Sequence, residues 1–567
     1  MTPNRFFRVG RTSWTLLALL LGAGWAAAQA PAPPDHSGVA DELARRLDQV
    51  DASQTPALAL LVARDGQVLF RRAIGLADLE QQIAATPKTK FRIGSITKQF
   101  TAAAILRLAA EKKLSLDDTL DAHLPDYPRG DDITIHQLLN HTSGIPSFTE
   151  LPGFWEKVTE PTTEAEVIAS FRDQPLSFEP GSKYHYNNSG YFLLGHIVGK
   201  VSGKPFGEYL QETFFGPLGM KDTGMHSPDL NLQHEALGYS LEDDAFKPAL
   251  NWHMSQVDGA GALYSTVDDL MLWNEALFNG KVLPPEQLKA AFTPYQNGYG
   301  YGLLIGEHRG LRTIGHDGGL NGFVSSLVRY PDQQLTIVAL HNAFPSVPEM
   351  TPTVVSRVVG ELFLDGEMAP REVHEVDTNV TPETLARYVG RYDYGAAVLV
   401  VTLEDGQLFA QLTGQGKAEI FPKSETELFW KIVDASVEFQ VDAEGRCTAA
   451  KHTQNGQTFT AKRLPDHATV QLPVETLDRY VGTYDYGAAK MIIRRDGERL
   501  LAKLGNQPEF PILPENETTF HWQVVEASIQ FTVDDEGTVS GAMHTQGGRQ
   551  FPVNKIPAAP VKEEEAP

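Results

Sequence analysis

Apolar residues recur every three to four positions after Ser95, where Ile96, Phe100, Ala103, Ala104, Leu106 and Leu108 follow Gly94 with no proline as far as Glu111. This period predicts a buried helix over 95–111. Leu43, Leu47 and Val50 mark a helical face within 41–50, and another helix is expected over 189–201, ending at Gly203. Over 57–74 the pattern changes to two short apolar runs joined by Asp65-Gly66, a strong hairpin signal. A second strand pair is expected from 322–330 and 334–341, around Pro331-Asp332. Strands at both ends of a helical, loop-rich middle predict an α+β domain with one antiparallel sheet covered by helices, its core running from about 41 to 365.

Beyond Asp365 the chain passes through an acidic connector into two copies of one pattern. Tyr388-Val389-Gly390-Arg391-Tyr392-Asp393-Tyr394-Gly395 returns as Tyr480-Val481-Gly482-Thr483-Tyr484-Asp485-Tyr486-Gly487, an offset of 480 − 388 = 92. Trp430 then matches Trp522, Gly445 matches Gly537, and His452-Thr453-Gln454 matches His544-Thr545-Gln546. Each copy opens with a short helix and continues as short alternating strands separated by Asp405-Gly406, Glu444-Gly445 and Asn455-Gly456 in the first, as in a small antiparallel barrel or sandwich. The expected organisation is a leader over 1–30, a main domain over 31–366, a linker over 367–380, β repeats over 381–465 and 473–557, and a disordered acidic tail over 558–567. His452 and His544 lie beside turns, which favours solvated hairpin histidines over a ligand site. Cys447 aligns with Val539 and reads as a small core hydrophobe.

Composition adds compartment and partners. The 567 residues are 42% hydrophobic and 21% charged, ordinary for packed globular domains. Arg5, Arg8 and Arg11, an apolar run over 14–21 and Ala28-Gln29-Ala30 before Pro31 match the three parts of a secretory signal peptide. Export to the periplasm or medium is therefore expected, with no stable membrane insertion after cleavage. The formal charge of −24 becomes −24 − 3 = −27 once those arginines leave, which disfavours nucleic acid and anionic lipid as partners. A single cysteine permits no intrachain disulfide. No His, Cys or carboxylate cluster has metal-site spacing, so neither a metal nor a cofactor is expected.

The candidate chemistry starts with Ser95 and Lys98, which share a helix face at i and i+3. A serine hydroxyl needs such help to act as a nucleophile. Ser-x-x-Lys alone is weak, because serine commonly caps helices and lysine is commonly solvated. Tyr186-Asn187-Asn188 precedes the 189–201 helix; alone, Tyr186 reads as a packing tyrosine and Asn188 as that helix's cap. His316-Asp317-Gly318, followed by Gly319, reads alone as a Gly-rich turn with a structural histidine.

Together and in this order, Ser95-Ile96-Thr97-Lys98, Tyr186-Asn187-Asn188 and His316-Asp317-Gly318 resemble the Ser-x-x-Lys, Tyr-x-Asn and His-x-Gly motifs of serine β-lactamase-like hydrolases, the class C β-lactamase, D-aminopeptidase and penicillin-binding-protein superfamily. The stretches 133–146 and 259–270 resemble the same superfamily, and the two C-terminal repeats resemble the lipocalin-like β domains appended to some of its peptidases. The resemblance implies an α+β fold: a β-lactamase/transpeptidase-like catalytic domain, an antiparallel sheet flanked by helices, followed by two small all-β barrel domains. It implies Ser95 as nucleophile, Lys98 and Tyr186 as coupled candidate bases, Asn188, His316 and Gly318 as substrate-binding residues, and an oxyanion hole from the N–H groups of Ser95 and Gly319. A cation near Tyr186 is expected to lower its phenol pKa. Histidine at 316, where many β-lactamases carry lysine, weakens recognition of a substrate carboxylate. The expectation is a Ser acyl-enzyme acting on amide or ester bonds of small peptide-like substrates. An esterase or β-lactamase of this fold and a non-turnover penicillin-binding sensor are the alternatives. The repeats are expected to gate substrate size or serve a homo-oligomer, with a passive spacer or surface-binding module equally open.

Overall fold

The computed structural model describes Phe7–Arg8 and residues 36–557, apart from short breaks at 152, 243–244, 346–349, 371–373, 395–396, 413–416, 432, 434, 455–456, 467–468, 488–489, 506–508, 524, 526, 535 and 547–548. The leader expected over 1–30, except Phe7–Arg8, the tail over 558–567 and the Asn455-Gly456 turn lie outside the described residues. The chain divides into two units, Met1–Pro370 and Arg371–Pro567.

In the first unit, helix α1 (His36–Asp48) precedes strands β1 (Leu58–Arg64) and β2 (Gln67–Ile74). Asp65 (φ 52°) and Gly66 (φ 74°) make the two-residue turn between them. Both lie in the left-handed region that a tight hairpin of this twist requires. Then come α2 (Thr97–Ala110), α3 (Glu164–Arg172), α4 (Asn188–Ser202), α5 (Val267–Phe278), strands β3 (Leu304–His308), β4 (Leu311–Leu320), β5 (Phe323–Tyr330) and β6 (Leu335–His341), and α6 (Pro352–Leu364). The strands form one antiparallel sheet in the order β3-β4-β5-β6-β1-β2, so the β1 hairpin closes against the last strand of the domain. Along β1, Ala59, Leu61 and Ala63 enter the core that contains α2, while Leu58, Leu60 and Val62 pack with Leu43 and Leu47 of α1 and Val355, Val359 and Phe363 of α6. Burial on both faces explains why this strand reads as a continuous apolar run rather than an alternation.

Helix α2 is buried from Thr97 through Leu106. Phe100 stacks on Trp273 of α5 with centroids 4.0 Å apart, and Trp273 donates its indole N–H to Gln99 at 3.0 Å. The helix therefore runs through the centre of the domain and holds its first turn rigidly.

In the second unit, eight strands from Gly390–Asp393 to Gln457–Arg463 form one closed barrel and eight from Gly482–Asp485 to Arg549–Ile556 form another. Closure by Tyr392↔Arg463 and Tyr484↔Lys555 rules out an open sandwich. The copies agree in detail. Tyr392 and Tyr484 each donate to the carbonyl of Tyr388 and Tyr480, both at 2.8 Å, and the register shifts at Gln440/Val441 and Thr532/Val533 again lie 92 residues apart. Cys447 is buried against Tyr392. The reading of His452 and His544 as solvated is overturned. Both sit inside strands and are buried, His452 against Trp430, Tyr394 and Phe459, and His544 against Trp522, Tyr486 and Phe551. Period-two alternation turns these positions inward even though turns lie close by.

Candidate active site

The residues before α2 descend from β-structure into a single 3-10 turn, Gly94–Ile96, and Gly94 has φ +50°. A Cβ on Gly94 would stand 2.9 Å from the Gly319 nitrogen, so glycine there lets the turn lie directly against β4. The same approach recurs at Gly318, where a Cβ would meet the Ile93 carbonyl oxygen at 2.0 Å and Ser325 Oγ at 2.4 Å. Ser325 donates to the Ile93 carbonyl at 2.9 Å, and the Ile93 N–H donates to Leu263 at 2.9 Å. Ile93, two residues before the half-buried Ser95, is thus held on both sides of its backbone, by the Ser325 hydroxyl and by the Leu263 carbonyl.

Lys98 is fully buried, and its Nζ lies 3.0 Å from Ser95 Oγ, 2.8 Å from Asn188 Oδ1 and 2.8 Å from the Ala260 carbonyl. Burial pushes the amine well below the ordinary lysine range. The contact set fits a neutral amine. Two N–H bonds reach the two carbonyl-type acceptors, and the lone pair remains for the Ser95 hydroxyl. Asn188 is oriented for this by donating Nδ2 to Thr149 Oγ1 at 3.0 Å. The cap of α4 is Asn187, whose side chain accepts from the Gly190 N–H at 2.7 Å, so the cap reading of Asn188 is replaced and its amide is free to face Lys98.

The Tyr186 phenol lies beside Ser95, and Lys98 Nζ sits 4.8 Å from the centroid of its ring. Burial raises this phenol, opposite to the lowering expected from a neighbouring cation, because the amine that would supply the charge is itself desolvated toward neutrality.

His316-Asp317-Gly318-Gly319 is part of strand β4 and not a turn. β4 is the second strand of the sheet, but its pairing with β3 ends at Gly315, which leaves 316–320 with an open edge. Gly319 is exposed on this stretch, and a Cβ there would meet nothing within 4 Å. His316 is buried. Its Nδ1 is 2.5 Å from the Asp317 carbonyl and its Nε2 2.8 Å from Tyr299 Oη. A carbonyl only accepts, so Nδ1 carries the hydrogen and Nε2 accepts from the tyrosine. Burial pushes the imidazole down to about 3. Asp317 points away from this cluster, toward Ser326, Thr353 and Arg357, as strand alternation requires.

Three contributors were given no role by the sequence reading, although two of them, His141 and Ala260, lie in the stretches 133–146 and 259–270 that it singled out. Tyr299 belongs to a Tyr/Gly-rich run over 295–302, the one local signal that could have marked it. His141 packs against Tyr186 and Tyr299 with centroids 4.5 and 4.4 Å apart and accepts from the Asn187 N–H at 3.1 Å. Ala260 acts through its carbonyl, which side-chain identity does not reveal. Among the described residues no group of three or more His, Cys, Asp or Glu could hold a metal ion, and no helix is long and apolar enough to cross a membrane.

The Beta-lactamase family model matches residues 41–357, and a domain-of-unknown-function model (DUF3471) matches 375–463 and 466–552. Penicillin-binding protein 4* of Bacillus subtilis (strain 168) is 28% identical over 410 residues, spanning 67% of this chain and 89% of that protein. The D-amino acid amidase of Ochrobactrum anthropi SV3, solved with D-phenylalanine, is 26% identical with a TM-score of 0.50, over 59% of this chain and 98% of the amidase. The octameric penicillin-binding protein homologue of Pyrococcus abyssi shares the fold at 22% identity and a TM-score of 0.53, over 83% of this chain and 99% of that one.

Proposed function

The chain belongs to the Beta-lactamase family, and from that premise we propose that it is an exported serine hydrolase that cleaves amide or ester bonds of small peptide-like substrates through a Ser95 acyl-enzyme. The observation that carries this reading is the Lys98 contact set, with two acceptors satisfied and the third contact on the serine hydroxyl. Neutral Lys98 takes the Ser95 proton as Oγ attacks the substrate carbonyl, and the N–H groups of Ser95 and Gly319 receive the oxyanion. Tyr186, beside Lys98, passes the proton that Lys98 took on to the amine or alkoxide as its bond to the substrate carbonyl carbon breaks, and water then adds to the acyl carbon, releasing the acid and returning Ser95 to its hydroxyl form. Because burial lowers Lys98, acylation rises with pH as its ammonium form is lost.

Two observations support the substrate class. His316 is neutral above about pH 3, so it supplies no cation for a free carboxylate, and the amidase likeness supports an aminoacyl amide. The arginines and the apolar run of the first 30 residues support export, which N-terminal sequencing of the secreted protein checks.

Fluorophosphonate labelling of purified protein, with Ser95→Ala as control, tests the nucleophile; equal labelling of both proteins removes the proposal. Hydrolysis of D- and L-aminoacyl anilides, short acyl esters and a chromogenic cephalosporin then tests the substrate class. Turnover of the cephalosporin alone would replace the peptide-like reading by a β-lactamase.

A further inference from the structure

Behind Lys98 lies a buried carboxyl oxygen that the proposed mechanism does not use. Asp258 begins the short turn Asp258–Ala260, whose last carbonyl accepts from Lys98 and whose middle carbonyl accepts from Thr101 of α2 at 2.6 Å. The turn is pressed onto α4 through glycine. A Cβ on Gly195 would stand 3.1 Å from Gly259 Cα and 3.5 Å from Asp258 Oδ1, and a Cβ on Gly259 would stand 2.9 Å from the Tyr191 carbonyl. Asp258 has φ +35°, and among the described residues its Oδ1 is buried without a hydrogen-bond partner. Strained backbone together with an unsatisfied buried acceptor is costly, and such pairs persist where surrounding structure enforces them.

We propose that Asp258 is a positioning residue for the base Lys98: as the neutral acid its carboxyl is tolerated behind the turn, and on ionising it disturbs the Ala260 carbonyl that orients the Lys98 amine. The inference rests on the reading of Lys98 as the base. A carboxylate needs several donors, and of its own turn only the Gly259 N–H reaches it, since the Ala260 N–H is already given to the Val257 carbonyl. Meeting that need shifts the segment that also holds Lys98.

The titratable groups facing Asp258 come from three helices. They are Lys98 on α2, reached through the turn, Glu164 on α3 and His196 on α4, the last two joined Nδ1 to Oε2 at 2.6 Å. Burial first, and then the Glu164 charge, push the Asp258 carboxyl up to about 7, against smaller opposing effects of Gly259 and His196. The folded chain therefore holds this proton over a range where the unfolded chain has lost it. The corresponding stability is present at acid pH and is lost as pH rises toward about 7.

The experiment measures the second-order rate of Ser95 labelling by a fluorophosphonate probe from about pH 5 to about pH 9.5. Wild-type protein is expected to lose labelling rate severalfold as Asp258 ionises. Asp258→Asn, which keeps the shape and tolerates positive φ, and Asp258→Gly, which accepts that φ without strain, are both expected to lack this fall. The thermal midpoint of Asp258→Asn relative to wild type should also rise with pH over the same interval. A labelling profile in Asp258→Asn and Asp258→Gly that superimposes on wild type overturns the inference while leaving the hydrolase reading intact. Absence of labelling in wild type overturns the hydrolase reading instead.

Discussion

The two units bury polar groups in opposite ways. In the barrel unit the buried tyrosines come in matched pairs, each hydroxyl donating to a backbone carbonyl: Tyr388 to Glu425 as Tyr480 to Glu517, and Tyr392 to Tyr388 as Tyr484 to Tyr480. In the first unit Lys98, His316, His141 and Asp258 are desolvated within one region, and each is moved by burial toward its uncharged form. A polar group repeated at the same position in two copies serves the packing that both copies share. Unrepeated desolvated groups that converge on a serine are a costly arrangement that packing alone does not call for, which is why they mark the site.

Substitutions can break this contrast. The largest effect is expected from Ser95→Ala, a loss of about 10³-fold or more in hydrolysis with little change in thermal midpoint, read by initial rates and calorimetry. Next, Gly318→Ala should lower acylation about 10²-fold, because its Cβ would collide with the Ile93 carbonyl and displace the serine turn. Gly319→Ala, with open space around the new methyl, should preserve the thermal midpoint and alter KM more than stability. If the two glycine variants behave alike, the backbone packing argued for β4 is wrong.

Smaller effects belong to the barrels. Tyr392→Phe and Tyr484→Phe should each cost about 1–2 kcal/mol in denaturant unfolding, by equal amounts, since each strands the same backbone carbonyl. Neither should change Ser95 labelling at saturating probe. Smallest of all, Cys447→Val converts the first barrel to the choice made at Val539 and should change stability by less than about 1 kcal/mol. A much larger loss would show that the Tyr392–Cys447 contact matters beyond packing. Unequal losses between the two tyrosine variants would point to Cys447, which the Tyr392 hydroxyl meets at 3.2 Å and which Val539 replaces in the second barrel.

Local patterns were enough for much of this molecule. The Asp65-Gly66 hairpin, the α2 helix, the strand pair around Pro331 and the 92-residue duplication are each specified by contiguous residues, through turn geometry or apolar period. Lys98, Tyr186 and Asn188, which the structure gathers beside Ser95, were also legible, because three short motifs follow one another in a recognisable order, whereas Tyr299 and His141 were not. The histidines of the barrels were misread because a nearby turn says little about which way a strand residue faces.

By itself the sequence determined which elements form, that the C-terminal third is a duplicated β-domain, and which serine and lysine stand on one helical face. Only the tertiary structure decided what those residues can do. It brought the Ala260 carbonyl and Asn188 to Lys98, buried the Tyr186 phenol, made His316 neutral against Tyr299, and left the 316–320 edge open beside Ser95. The reason is physical: helix and strand periods act over a few neighbouring residues, whereas desolvation and hydrogen bonds across the fold depend on segments as far apart as Lys98 and Ala260, 162 residues along the chain.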